Sequence, residues 1–267
     1  MTGQHTPAPE SVARAYEQRL VPALFEEWAP RVGSAAEILP GQRVLDVACG
    51  TGILARTVAR CTGSDSLVSA VDLNPAMLTV GRERSPEIDW REGPAEDLPF
   101  DDALFDAVVS QFGLMFFPSP ESALEEMMRV LKPGGHLAVA VFGSLDSLPA
   151  YAAIADVYER QVNKAVGDAL RLPFSMGDTR KLASCCTAAG IDTADITPHE
   201  GRAYFADTRE MVLADVEGWF PFAEIHLDDQ TLEAVIDEAE KVLAPFRTEQ
   251  GGITFPVPVY IIAATKT

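Results

Sequence analysis

A doubly wound α/β fold with a seven-stranded, mostly parallel sheet is what this chain predicts, on three observations. Short apolar, β-branched runs alternate with stretches of helical period from residue 43 onward. The first run, RVLDVA (43–48), breaks at once into CGTG and then into the helical ILARTVARC. Strands alternating with helices pair in parallel through right-handed crossovers, which covers the sheet with helices on both faces. At 267 residues the chain has the size of one large domain carrying a cap built from insertions.

The elements follow in order. Residues 1–10, rich in Thr, Pro and Ala, read as a flexible tail, and 11–267 as a single domain. Val12, Ala13, Tyr16, Leu20, Leu24, Phe25 and Trp28 recur near helical period, predicting one or two helices broken around Pro22. LPGQ (39–42) is a turn before the first strand. SLVSAVDL (66–73) is the second strand, with Asp72 near its end, and Asn74 and Pro75 cap and open the next helix. EIDWREG (87–93) and FDAVVSQF (105–112) are the third and fourth strands. The helix at 119–131 has Ser119 as cap, Pro120 in first position and Glu121 near its positive end. KPGG stops it, and HLAVAVF (136–142) is the fifth strand. Helices follow at 149–162 and 179–190, then a strand at 196–205, helices near 208–217 and 228–246, and a last strand at 253–265. The segments at about 144–177 and 207–250 read as cap or substrate-binding insertions over the carboxyl edge of the sheet, where ligands of this architecture bind.

Composition narrows the partners. The apolar share of 47% is that of a globular protein, but the formal net charge is −19, which repels nucleic acid phosphates and anionic lipid. Cys49, Cys61, Cys185 and Cys186 form no CxxC pair, so reduced core thiols are expected, with neither a zinc site nor a disulfide framework. The four histidines form no constellation, and no metal is expected. No stretch has the length of a membrane span and the start lacks a signal-peptide pattern, so a cytoplasmic protein is expected.

The stretch from Gly50 to Ala55 satisfies the dinucleotide pattern GxGxxA, and Asp72 lies about 20 residues beyond it, where an acid holds ribose hydroxyls. Asp46 decides against a nicotinamide cofactor. A carboxylate beside a pyrophosphate in a partly desolvated crevice repels it by several kcal/mol. S-adenosylmethionine reverses the sign, since it carries an ammonium and a sulfonium, with a carboxylate for the free amides of the following helix.

VLDVACGTG (44–52), VDLNPAML (71–78), EGPAEDLPFDDALFDAVVSQFGLMFF (92–117) and RVLKPGGHLAVAVF (129–142) together resemble the class I S-adenosylmethionine-dependent methyltransferases. The subgroup is the small-molecule one, with a Rossmann-like fold, that includes the ubiquinone and menaquinone C-methyltransferases. The resemblance implies Asp46 near the methionyl amino group, with Ala48, Gly50, Thr51 and Gly52 around the methionine moiety. It implies Asp72 on the ribose, Leu73 and Met77 beside the adenine, the Ala95 amide on the ring, and Gln111 near the sulfonium. Two positions depart from the family pattern. Ala48 stands where many relatives have glycine, and Pro94 where they often have an Asp that accepts from the adenine amino group, leaving Glu96 as the candidate. Acceptors in this family bind beyond the fourth strand, which makes Phe112, Met115 and Phe116 pocket candidates, with Tyr16 covering from the N-terminal helix. Trp219 and Phe220, in WFPF, extend an apolar wall from the cap and point to an apolar or aromatic acceptor. A binding protein that does not spend the methyl group, and a nicotinamide-dependent oxidoreductase, are the alternatives.

Overall fold

The computed structural model describes residues 8–267. Seven strands form one sheet: β1 (Val44–Val47), β2 (Val68–Asp72), β3 (Asp89–Glu92), β4 (Phe105–Gln111), β5 (Leu131–Phe142), β6 (Asp195–Phe205) and β7 (Ile253–Thr265). Their order is β3-β2-β1-β4-β5-β7-β6. The first five pair in parallel, and β7 runs antiparallel between β5 and β6. β1 and the middle of β4 are buried, as strands covered on both faces must be, which is why they read as unbroken apolar runs.

Helices Ile53–Thr62, Pro75–Arg84 and Pro120–Val130 make the crossovers, as their patterns predict. The Asn74 side chain accepts from the Ala76 amide at 3.0 Å, and Ser119 caps its helix through the Ser122 amide. Sequence order reverses on either side of β1 and β4, so the carboxyl ends of those strands open a crevice.

Four expectations are corrected. The first helix starts at Pro9, so the tail expected over 1–10 is too long; its first seven residues lie outside the described ones. The chain does not break at Pro22. Pro22 sits inside a wider π-helical stretch, Tyr16–Phe25, where five-residue hydrogen bonds absorb the missing amide, and the turn comes just after it. KPGG does not lie outside the sheet: β5 reaches back to Leu131, with an irregular register opposite Phe105 and Ala107. Of the four free cysteines only Cys49, Cys185 and Cys186 are buried, while Cys61 is exposed.

The segment at 144–177 holds helices Pro149–Gln161 and Lys164–Arg171, the second of which the sequence reading did not predict. The segment at 207–250 holds helices Thr208–Gly218 and Asp229–Val242. Helix 208–218 packs on the N-terminal π-helical stretch so closely that a Cβ on Gly218 would lie 3.1 Å from the Tyr16 backbone. Arg19 ties the same two elements together through Glu210 and Glu217.

Candidate active site

The crevice is a cavity of about 490 Å³. Ala48 and Gly50 of the first loop line it, with Asp72, Leu73 and Met77 after β2, Pro94, Ala95 and Glu96 after β3, and Gln111 and Phe112 at the end of β4. Tyr16, Phe116 and Trp219 close it from the other side. The fold thus gathers on one wall residues up to 64 positions apart, Ala48 to Phe112, because parallel strands bring all their carboxyl ends to one edge.

Asp46 is not on that wall. It lies behind the loop, 1% exposed, with neither carboxylate oxygen hydrogen-bonded. The Ala55 amide favours its ionised form without reaching hydrogen-bond geometry, and burial pushes the carboxyl well above its usual range. Asp72 is differently placed. One of its oxygens accepts the Gly50 amide and the other the Asn74 amide, each at 2.8 Å. Burial raises its carboxyl while those amides pull it back, and each oxygen keeps a lone pair for a further donor.

Thr51 and Gly52 hold the loop rather than line the cavity. The Thr51 hydroxyl bonds to Glu17, a buried acid that also pairs with Arg56 at 2.9 Å and Arg84 at 3.0 Å. Glu17 therefore clamps the N-terminal helix to the glycine loop. Gly52 has φ of +86°, and a Cβ there would sit 2.2 Å from the Trp90 ring. Ala48 and Phe112, with φ of +56° and +57°, hold left-handed backbone without being glycine, one at the end of β1 and one at the end of β4. Glu96 faces the cavity, but its Oε1 accepts the Ser119 amide at 3.2 Å and so also anchors the following helix. Gln111 donates to the Phe25 carbonyl at 3.0 Å and leaves its own Oε1 buried without a partner.

A smaller cavity of about 70 Å³ adjoins the first, and Tyr16, Phe112, Phe116 and Trp219 line both. Phe112 stacks on Phe142 at 3.8 Å, Tyr16 on Phe25 at 5.3 Å, and Phe116 meets Trp219 at 5.0 Å. Two of the predicted acceptor residues are misplaced. Met115 is 7% exposed and lines neither cavity, because the turn after β4 points it inward. Phe220 is fully buried against Tyr158, and Phe222 lines the larger cavity instead. Sequence reasoning also missed Glu17 and Asp215. Both are acids on the apolar stripe of a helix, Glu17 among Leu20, Val21 and Leu24 and Asp215 among Met211, Ala214 and Gly218, which was a usable signal.

A sheet of this order, with the last strand reversed beside the fifth and the cavity at the crevice, is the class I methyltransferase architecture. Comparison with known proteins agrees. A family model described as a methyltransferase domain matches residues 45–139. The demethylmenaquinone methyltransferase of Renibacterium salmoninarum is 45% identical over 139 residues, covering 52% of this chain and 56% of that protein. The ubiquinone/menaquinone biosynthesis C-methyltransferase UbiE of Rhizobium leguminosarum bv. trifolii is 36% identical over 179 residues, covering 61% and 69%. Among solved structures, phosphoethanolamine N-methyltransferase 2 of Haemonchus contortus in complex with S-adenosyl-L-methionine has a TM-score of 0.60. It is 17% identical, with 96% of this chain and 57% of that one covered, and the likeness is one of fold. The chain belongs to the class I S-adenosylmethionine-dependent methyltransferases. It spans about half the length of the first curated relatives it matches, 56% and 44%.

Proposed function

We propose that this protein transfers a methyl group from S-adenosylmethionine to a small, apolar or aromatic acceptor of quinone type, a biosynthetic intermediate. The observation that carries the reading is Asp46. A buried carboxyl with both oxygens unpartnered calls for a positive charge nearby, and an ammonium in the cavity answers it across the Ala48 methyl and the bare Gly50 backbone. A pyrophosphate in the same place offers no positive charge and would hold the acid protonated with its oxygens still unpaired, so a nicotinamide cofactor is disfavoured.

In this reading the free lone pairs of Asp72 hold the ribose hydroxyls, and Leu73 and Met77 flank the adenine. Ala95 and Glu96 face the ring edge, with Pro94 between them and the strand. Gln111 lies near the sulfonium, and Thr51 and Gly52 shape the loop around the methionine moiety. Bound there, S-adenosylmethionine supplies an electrophilic methyl carbon on a good leaving group. The chain's part is alignment and exclusion of water, which is why a strong base need not stand in the cavity.

The aromatic walls at Tyr16, Phe112, Phe116 and Trp219 support an aromatic acceptor, and the names of the curated relatives support a quinone. We assign the segments at 144–177 and 207–250 to the cap over the acceptor, since Leu172, Phe174 and Trp219 reach the two cavities from them. The net charge of −19 supports a small molecule over a nucleic acid, and the reading includes a cytoplasmic setting. Among the described residues no helix is long and apolar enough to cross a membrane.

Calorimetric titration with S-adenosylmethionine, S-adenosylhomocysteine and NADH tests the reading. Binding of the first two, weakened by Asp46→Ala, is the expected result; binding of NADH alone would refute it.

A further inference from the structure

The wall of the smaller cavity is aromatic and aliphatic except where Asp215 joins it. Asp215 is 2% exposed on the inward stripe of helix 208–218. Its Oδ2 accepts from the Tyr158 hydroxyl at 3.3 Å, and that same hydroxyl is 3.4 Å from the Val212 carbonyl. One hydrogen divided between two acceptors satisfies neither, and among the described residues Asp215 has no cationic partner and no other side-chain donor. An acid held this way costs stability that a leucine would not, so its presence in a small recess that shares four wall residues with the larger cavity asks for a donor from a ligand reaching in from that cavity.

We propose that Asp215 is a specificity-determining residue of the acceptor site, accepting a hydrogen bond from a hydroxyl on a flat, otherwise apolar aromatic acceptor. This rests on the methyl-transfer reading above and deepens it. The shared residues Tyr16, Phe112, Phe116 and Trp219 place such an acceptor between the larger cavity and Asp215, ring against the aromatic walls and hydroxyl toward the acid. A ring without a hydroxyl leaves the acid unpaired, and rejection of analogues lacking a hydrogen-bonding group is the strongest kind of discrimination a pocket achieves.

The charge state sharpens the discrimination. Burial pushes the Asp215 carboxyl up to about 8. The titratable groups facing it are Tyr151 and Tyr158 of helix 149–161, and Tyr16 shares the cavity; burial raises all three phenols, so they stay neutral while Asp215 titrates. Below that value the acid both donates and accepts, and tolerates an ether or a hydroxyl. Above it the carboxylate only accepts, and an ether oxygen is repelled.

The test uses the full chain and two fluorescent probes, 2-naphthalenemethanol and its methyl ether, with wild type, Asp215→Asn and Asp215→Leu. Wild type should prefer the alcohol about tenfold near pH 9 and much less near pH 6. Asp215→Asn, whose amide donates and accepts at every pH, should lose the pH dependence, and Asp215→Leu should lose the preference altogether. A wild-type preference near one at both pH values, or one unchanged in Asp215→Leu, overturns the proposal. Titration of each protein with S-adenosylhomocysteine runs alongside. If that ligand binds none of them the methyl-transfer reading fails, while the alcohol-to-ether ratio still judges Asp215.

Discussion

Replacing Asp46 by Asn sets folding stability against ligand affinity at one atom pair. In the ligand-free protein the Asp46 oxygens lack partners and the folded-state value of the carboxyl lies well above the unfolded 3.8. The folded state therefore holds the proton longer, and stability falls as pH rises from the unfolded value through the folded one. Each unit of that gap withdraws about 1.4 kcal/mol from the folded state at a pH above both values. Asn removes the ionisation but keeps a buried polar amide, so near neutral pH the variant should be more stable than its parent. Ligand binding moves the other way. Two opposite unit charges about 6 Å apart, at an effective dielectric constant of about 20, gain about 3 kcal/mol, the scale on which an ammonium in the cavity would favour an ionised Asp46. Part of that is spent in ionising the acid, so at least about tenfold of affinity for S-adenosylmethionine should be lost in Asp46→Asn. The wild type should also release up to about one proton on binding, seen as a dependence of the binding enthalpy on buffer, and the variant none. Urea unfolding and calorimetry in two buffers measure all three effects. A variant that is less stable than its parent without ligand, or that binds with the same affinity and proton release, would refute the assignment of Asp46.

Ala48→Gly should stabilise the protein by about 1 kcal/mol in urea unfolding, because the φ of +56° at Ala48 suits glycine. Gly52→Ala should cost about 3 kcal/mol or more and lower the melting temperature, since the new Cβ falls 2.2 Å from Trp90 on left-handed backbone. Glu17→Ala strands the half-buried Arg56 and frees the Thr51 hydroxyl, at about 3 kcal/mol of stability, and should weaken S-adenosylmethionine by loosening the glycine loop. For Asp215, with a folded value of about 8 against 3.8 unfolded, stability should fall as pH rises through that window. Asp215→Asn should flatten that part of the urea midpoint against pH; an unchanged slope would contradict the burial of the acid.

Much of the larger cavity is legible in the sequence because it is built from strand ends. β1 to β4 announce themselves by period and composition, and parallel pairing brings their carboxyl ends to one edge, beside the crevice. Asp72, Ala95 and Gln111 could therefore be placed on one wall from spacing and the family resemblance together. Met115 and Phe220 could not be excluded in the same way. Each sits beside residues that do line the cavities, in a short turn where neighbouring side chains point in opposite directions, and no period separates the two sides.

The sequence by itself determined the alternation of elements, the class of sheet and the acid-led glycine loop, since these depend on local period, capping and the conformations that glycine permits. Only the tertiary structure decided that Pro22 lies within a continuing helix, that Glu17 reaches the loop from 34 positions away, and that Asp215 meets the same aromatic wall as Phe112. Those outcomes depend on which helix packs where across the sheet edge. Such packing is settled by the shapes of surfaces distant in sequence, and an acid on an apolar stripe becomes interpretable once its facing partners are known.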